Sequence, residues 1–220
     1  MTAPLQRIRV WDPWVRLTHW AIVLLMAASY LTAVLHWFRL HTLSGYAVLA
    51  LVLFRVLWGV FGSESARFAS FLRPPLEGLR HLAHLRRREA DTGTTHNAAG
   101  GWMVLAFLVL LGAQAALGLF SNDDSFQAGP LRFLVTKETS DWLTGWHYRI
   151  FDGLVVLVAL HVAAVLAYRL LKGQDLVRPM VTGVKLLPPG TRAPRLAHPV
   201  LGAGLLALSA GFVWWLSYQG

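Results

Sequence analysis

Four of the nine histidines stand out by their position in the long apolar segments, and these side chains are the best candidates for chemistry. They are His19, His41, His147 and His161. An ionisable group in such a segment is costly to bury and usually has a function. Neutral imidazole binds haem iron and other metal ions. One histidine near a helix end is more often an ordinary interfacial residue, so the spacing of the four is what indicates ligand sets.

His147 and His161 are fourteen residues apart in one apolar segment. Fourteen residues are close to four helical turns, so both side chains lie on one face of a helix, about 21 Å apart along its axis. One haem cannot bind both residues. Two haems stacked across a membrane could each take one of them, with a partner histidine from another helix.

The chain contains no cysteine. This excludes disulfides, cysteine-ligated zinc, iron–sulfur clusters and covalent haem attachment through a CxxCH motif. A redox cofactor would therefore be held by histidine or methionine, or without a protein ligand.

The composition is that of an all-α integral membrane protein. Of the 220 residues, 55% are hydrophobic and only 14% are charged, and the charges cluster between long apolar runs. About 20 consecutive apolar residues cross the hydrocarbon layer as a helix. Five segments meet this length, and we predict helices at residues 17–38, 41–61, 101–120, 147–171 and 199–218.

Basic residues alternate between the linkers. The N-terminal tail, the second linker and the fourth linker are rich in arginine and lysine, whereas the first linker has one arginine and the C-terminal tail none. The positive-inside rule then places the N-terminus in the cytoplasm and the C-terminus outside. Contacts with lipid head groups explain the formal charge of +9 more simply than nucleic acid does, so we expect no nucleic-acid partner.

In this topology, the depth of each histidine in the membrane predicts which two histidines form a pair. His41 and His147 both begin their predicted helices on the outer side, so they would form one pair. His19 begins the first helix on the cytoplasmic side, towards which the fourth helix carries His161. Each pair would give one bis-histidine iron with no open coordination position, which suits electron transfer.

The segment from Pro74 to Glu89 is predicted to form a surface helix. Its leucines recur every three residues, and arginines occupy the other face. Such a helix would lie flat on the cytoplasmic membrane surface.

Several stretches together resemble the bacterial cytochrome b561 family, which includes the cytochrome b subunits of membrane-bound nickel–iron hydrogenases. The stretches are WDPWVRLTHW, LHTLSGYAVLALVLFRVLWGVFG, HNAAGGWM and WHYRIFDGLVVLVALHVAAVLAYRLLKG. The resemblance covers roughly residues 8 to 180, and Ala98 stands where a proline would be more usual. It implies a four-helix haem-binding bundle at residues 1–180, followed by a linker and fifth helix at residues 181–220.

The resemblance also implies cofactors and partners. By position, His19, His41, His147 and His161 match the family's ligands for two haems b. Electrons would pass between the quinone pool and a periplasmic redox protein, either a c-type cytochrome or a hydrogenase, at the bacterial inner membrane. The chain would itself be an enzyme only if it has quinone oxidoreductase activity.

Two further residues are candidates for cofactor binding. Arg55 lies inside the second helix, where a haem propionate would supply a buried anion for its charge; snorkelling or pairing with a loop carboxylate is the alternative. Gly45 is four residues after His41 on the same face, so it could leave room for a flat macrocycle. Ordinary helix packing is the alternative for the glycine.

Two other functions stay open on the sequence. A transporter with histidines on a proton path would have helices interrupted by glycine or proline near the middle of the membrane. The five predicted spans contain no internal proline, which disfavours it. A non-redox membrane anchor for a partner complex is the second alternative, and haem absorption would distinguish electron transfer from both.

Overall fold

The computed structural model describes residues 4–83, 91–122, 124 and 128–219. Helices account for most of them, with one small antiparallel sheet. In chain order the α-helices and strands are β1 Gln6–Arg9, α1 Pro13–Val34, α2 Phe38–Phe61, α3 Phe68–Phe71, α4 Pro75–Ala83, α5 Ala98–Gly118, α6 Lys137–Ala167, α7 Val177–Thr182, β2 Val184–Leu187 and α8 Pro199–Ser217. A π-helical turn, Tyr168–Lys172, continues α6.

Five of these helices are long and apolar enough to cross a membrane. They are α1, α2, α5, α6 with its π-helical turn, and α8. Each coincides with one of the five predicted spans, so the prediction of an all-α integral membrane protein is confirmed.

The fourth spanning helix begins ten residues before the predicted start. Its first turn is stabilised by Thr136, whose hydroxyl oxygen accepts a hydrogen bond from the Thr139 N–H at 3.3 Å. Lys137 and Asp141 then form an ion pair one helical turn apart, at 2.9 Å. Such polar residues extend a helix beyond the hydrocarbon layer. Hydropathy detects only the apolar part, which explains the difference.

The first spanning helix begins at a well-formed cap. Pro13 occupies its first position, where a missing N–H costs nothing. The Asp12 carboxylate accepts hydrogen bonds from the Val15 N–H at 2.9 Å and from the Trp58 indole N–H at 3.1 Å. Asp12 is only 2% exposed, so one buried carboxylate joins the start of α1 to the end of α2.

The described contacts divide the chain into two compact units. Unit one comprises Met1–Leu17, Leu57–Ala106 and Val158–Gly202. Its sheet pairs β1 with β2, with Gln6 opposite Leu187 and Arg9 opposite Val184. This pairing binds the N-terminal segment to the linker that precedes α8.

A second set of contacts in unit one holds the segment before α8. The Glu64 carboxylate accepts the Arg195 N–H at 2.9 Å, and the Ser63 hydroxyl accepts the Ala197 N–H at 3.0 Å. The hydrogen bond from Arg195, together with the nearby guanidinium groups of Arg192 and Arg195, holds the pKa of the Glu64 carboxyl below its ordinary value.

Unit two comprises Thr18–Val56, Phe107–Leu157 and Ala203–Gly220. Leu49 and Ala50 of α2 pack with Leu119 and with Val213 of α8 in a buried apolar cluster. The fifth spanning helix thus contributes to a core that includes α2. Residues 181–220 belong partly to each unit, and the proposed division at residue 180 stays a prediction.

The predicted surface helix is present in part as α4, Pro75–Ala83. Leu76 and Leu79 are exposed on it. The Trp102 indole N–H donates to the Arg73 carbonyl at 2.9 Å just before this helix. The remainder of the predicted segment, residues 84–89, lies outside the described residues.

Candidate functional site

His41 and His147 face each other in unit two. His41 lies in the first turn of α2, and His147 lies in the third turn of α6. Their ring centroids are 6.1 Å apart, and the ring planes meet at 80°. Residues 106 positions apart in the chain are thus brought together as two opposed imidazoles.

Each of these rings is oriented through its Nδ1 atom. His41 Nδ1 lies 2.9 Å from the Ser29 carbonyl oxygen and 3.2 Å from the Ser29 hydroxyl. His147 Nδ1 lies 2.9 Å from the Gln114 carbonyl oxygen. A carbonyl oxygen only accepts hydrogen bonds, so both Nδ1 atoms carry the proton. The lone pair of each neutral ring is therefore on Nε2, as a metal ligand requires.

The separation of the rings fits a single metal ion between them. With metal–nitrogen bonds of about 2.0 Å, two imidazoles on opposite sides of one ion would have centroids about 6–6.5 Å apart. Among the described residues no three histidine or acidic side chains cluster as metal ligands. A two-imidazole set suits an ion whose other ligands come from a macrocycle, as in haem.

Aromatic rings and glycines lie near the His41–His147 pair. The Tyr30 ring stacks on the Phe151 ring, with centroids 5.4 Å apart and ring planes 6° apart, so α1 contacts α6 here. Tyr30 follows Ser29 directly, and Phe151 lies one helical turn after His147. A Cβ atom at Gly118 would lie 3.4 Å from the His147 ring, which is an ordinary van der Waals contact, so this position lies directly beside the ring. A Cβ at Gly45 would meet no heavy atom within 4 Å, which leaves space one turn from His41.

Arg55 is buried within α2, with only 6% of the residue exposed. A buried guanidinium is consistent with the sequence prediction that this residue meets an internal anion. Three other arginines in the spanning helices differ from it. Arg149 lies over the Trp146 ring at 5.2 Å, Arg16 donates to the Val181 carbonyl at 2.6 Å, and Arg39 is exposed.

His19 and His161 are the remaining predicted ligands. His19 is half-buried in α1 within unit two, and its ring packs edge-on against Trp20 at 4.9 Å. His161 is half-buried on α6 and belongs to unit one. Their pairing stays a prediction from the spacing and the resemblance.

Ser29 and Gln114 are the functional positions that sequence reasoning missed. Both act on the facing imidazoles through backbone carbonyl oxygens. Every residue has a carbonyl, so no side-chain type or spacing marks such acceptors. Only the packing of α1 against α2 and of α5 against α6 brings the two oxygens within reach of His41 and His147.

These features define a class of protein: a multi-helix membrane protein with opposed imidazoles suited to a metal macrocycle. The family model of prokaryotic cytochrome b561 matches residues 10–183, and the chain belongs to this family. No curated protein and no solved structure matches the chain. The chain is therefore a multi-pass membrane cytochrome that binds haem b and takes part in electron transfer, as the resemblance predicted.

Proposed function

We propose that the chain transfers electrons across the bacterial inner membrane, between the quinone pool and a periplasmic redox partner, through two haems b with bis-histidine ligation. The observation that carries this proposal is the close approach of two imidazoles, His41 and His147, whose centroids are 6.1 Å apart and whose Nδ1 atoms are both engaged by backbone carbonyl oxygens. Bound haem supplies an iron that changes between the ferric and ferrous states by one electron.

His41 and His147 would hold the outer haem. Their hydrogen bonds to the Ser29 and Gln114 carbonyls fix the ring orientation and raise the basicity of the ligating nitrogen atoms. With His41 and His147 both holding the haem, the iron would have no open coordination position for oxygen or another substrate. This arrangement favours electron transfer over chemistry at the iron.

His19 and His161 would hold the inner haem. The fourteen-residue spacing puts His161 on the same face of α6 as His147, and the resemblance to the family implies that both His19 and His161 are haem ligands. The buried Arg55 would pair with a haem propionate, and Gly45 would leave room for the macrocycle beside His41.

Electron transfer across the membrane requires a redox partner in the membrane and another outside it. The donor or acceptor in the membrane is a quinone, and the periplasmic partner is a c-type cytochrome or a hydrogenase-like protein. The alternation of basic linkers supports a cytoplasmic N-terminus and a periplasmic C-terminus. The proton-path alternative is less consistent with the helices, because α1, α2, α5 and α8 are continuous and the π-helical turn comes only at the end of α6.

Haem content tests the proposal directly. We expect the purified protein to contain two non-covalent haems b per chain, measured as the pyridine haemochrome against the protein concentration from amino-acid analysis. Redox titration of the same sample should resolve two components. A value of one haem per chain would contradict the two-haem proposal, and the absence of haem would leave only the anchor and transporter alternatives.

A further inference from the structure

Unit one contains a cavity of about 380 Å³, and half of its twelve lining residues are charged. Its walls come from the end of the α6 segment, from α7, from the two strands and from Asp91. Four basic and two acidic residues line it: Arg7, Lys172, Arg178, Lys185, Asp91 and Asp175. Four cations and two carboxylates leave a formal excess of two positive charges.

Both acidic residues already have partners. Asp91 accepts an ion-paired hydrogen bond from Lys185 at 2.8 Å. Asp175 accepts the N–H groups of Val177 and Arg178 at 3.0 and 3.1 Å, so it caps the start of α7. The carboxylates are thus engaged with one lysine and one helix end, and the remaining positive charge of the lining is left to bind an anion.

Lys172 is the basic residue in the most unusual position. It is the last residue of the π-helical turn and is only 7% exposed. Its ammonium group lies 5.9 Å from the Tyr168 ring centroid, and it makes no hydrogen bond or ion pair with any residue that the structure describes. Lys172 lines the cavity, and an anion bound there would supply the hydrogen-bond acceptor and counter-charge that the described residues do not give its ammonium group.

We propose that this cavity binds a phosphate group through Lys172, Arg7 and Arg178. Phosphate oxygens form short, charge-assisted hydrogen bonds with ammonium and guanidinium groups. The headgroup of an anionic phospholipid and a soluble phosphate are the two sources of this chemistry. The lipid is the better match, because the cavity lies at the end of a membrane-spanning helix and Val184 and Leu186 add apolar surface to its wall.

Binding to the full-length, haem-loaded protein in a neutral detergent tests the proposal. The delipidated protein is titrated with short-chain phosphatidylglycerol, with short-chain phosphatidylcholine and with inorganic phosphate, and binding is measured by calorimetry. Saturable binding of phosphatidylglycerol at one site per chain, without binding of phosphatidylcholine, supports the lipid source. Saturable binding of inorganic phosphate with equal affinity supports a soluble source for the same site.

Variants assign the binding to the cavity. We expect Lys172→Gln to weaken phosphatidylglycerol binding by about tenfold, the effect of losing one charge-assisted hydrogen bond. Arg169→Gln is the matched control, since Arg169 is exposed in the same π-helical turn and does not line the cavity. Arg178→Gln removes an exposed cation of the lining and gives a second test if Lys172→Gln does not fold.

Three results would overturn the proposal. The first is the absence of saturable binding of both phosphatidylglycerol and phosphate to the unaltered protein. The second is an equal loss of affinity in Arg169→Gln and Lys172→Gln, which would indicate attraction to general surface charge. The third is unchanged affinity in both Lys172→Gln and Arg178→Gln.

Discussion

At the residue scale, the protonation state of two histidines decides what the site can bind. The Ser29 and Gln114 carbonyl oxygens each lie 2.9 Å from a histidine Nδ1 and keep the proton there. In the other neutral tautomer the proton would be on Nε2, and the ring could not ligate a metal through that atom. The backbone of α1 and α5 thus determines which ring nitrogen of His41 and His147 carries the proton and which one is the proposed haem ligand.

The ligand pairs can be separated by single substitutions. We expect His41→Ala and His147→Ala to remove one spectral and redox component, and His19→Ala and His161→Ala to remove the other. The reason is that one lost axial ligand opens the coordination of one iron only. Reduced-minus-oxidised spectra and redox titration of each variant measure the effect.

His198→Ala is the matched control for these substitutions, because His198 is exposed and precedes α8. It should retain both components. If His19→Ala removed the component that is lost in His147→Ala, the proposed pairing would be wrong although two haems could still bind. Recovery of the lost component when imidazole is added to His147→Gly would distinguish a ligand from a residue needed only for folding.

At the element scale, polar contacts stabilise the ends of the spanning helices, and the hydropathy of the apolar residues does not determine where the helices begin. Asp12 caps α1 and holds Trp58 of α2, while Thr136 begins α6 well before its apolar part. These contacts determine where the helices begin. They also set how far His19 and His147 lie from the starts of their helices.

We expect Asp12→Ala to destabilise the protein by about 2–4 kcal/mol. Loss of a helix cap costs about 1 kcal/mol, and loss of the buried hydrogen bond from the Trp58 N–H to Asp12 costs about a further 1–3 kcal/mol. Asp12→Asn is the control, since its amide oxygen can still cap α1, and it should be less destabilising. Thermal unfolding in detergent, followed by circular dichroism, measures both. Equal destabilisation by the two variants would show that the cap contributes little.

At the scale of the whole molecule, the arrangement of charges predicts the orientation in the membrane. We expect alkaline phosphatase fused after the last residue to be active, and the same enzyme fused after Gly93 in the second linker to be inactive. The physical reason is that arginine-rich linkers stay on the cytoplasmic side. Green fluorescent protein at the same two positions should give the opposite pattern and serves as the control. Fluorescence of the green fluorescent protein fused at the C-terminus would show that the proposed topology is wrong.

The five spanning helices were predictable from the sequence because hydropathy and helical rise are local properties. A helix needs about 20 apolar residues to cross the hydrocarbon layer, and each segment supplies them within its own length. The spacing of His147 and His161 is local in the same sense, since both lie on one helix. The family was likewise predictable, because its motifs are read along the chain.

The tertiary structure alone decided which groups act together across the chain. The 6.1 Å approach of His41 to His147 and the carbonyl partners of their Nδ1 atoms depend on packing between helices. The burial of Lys172 beside a charged cavity depends on the π-helical turn and on the strand pairing of unit one. Backbone carbonyls and cavities have no side-chain signature, and contacts between distant residues form only when the helices pack, so the sequence by itself could not determine them.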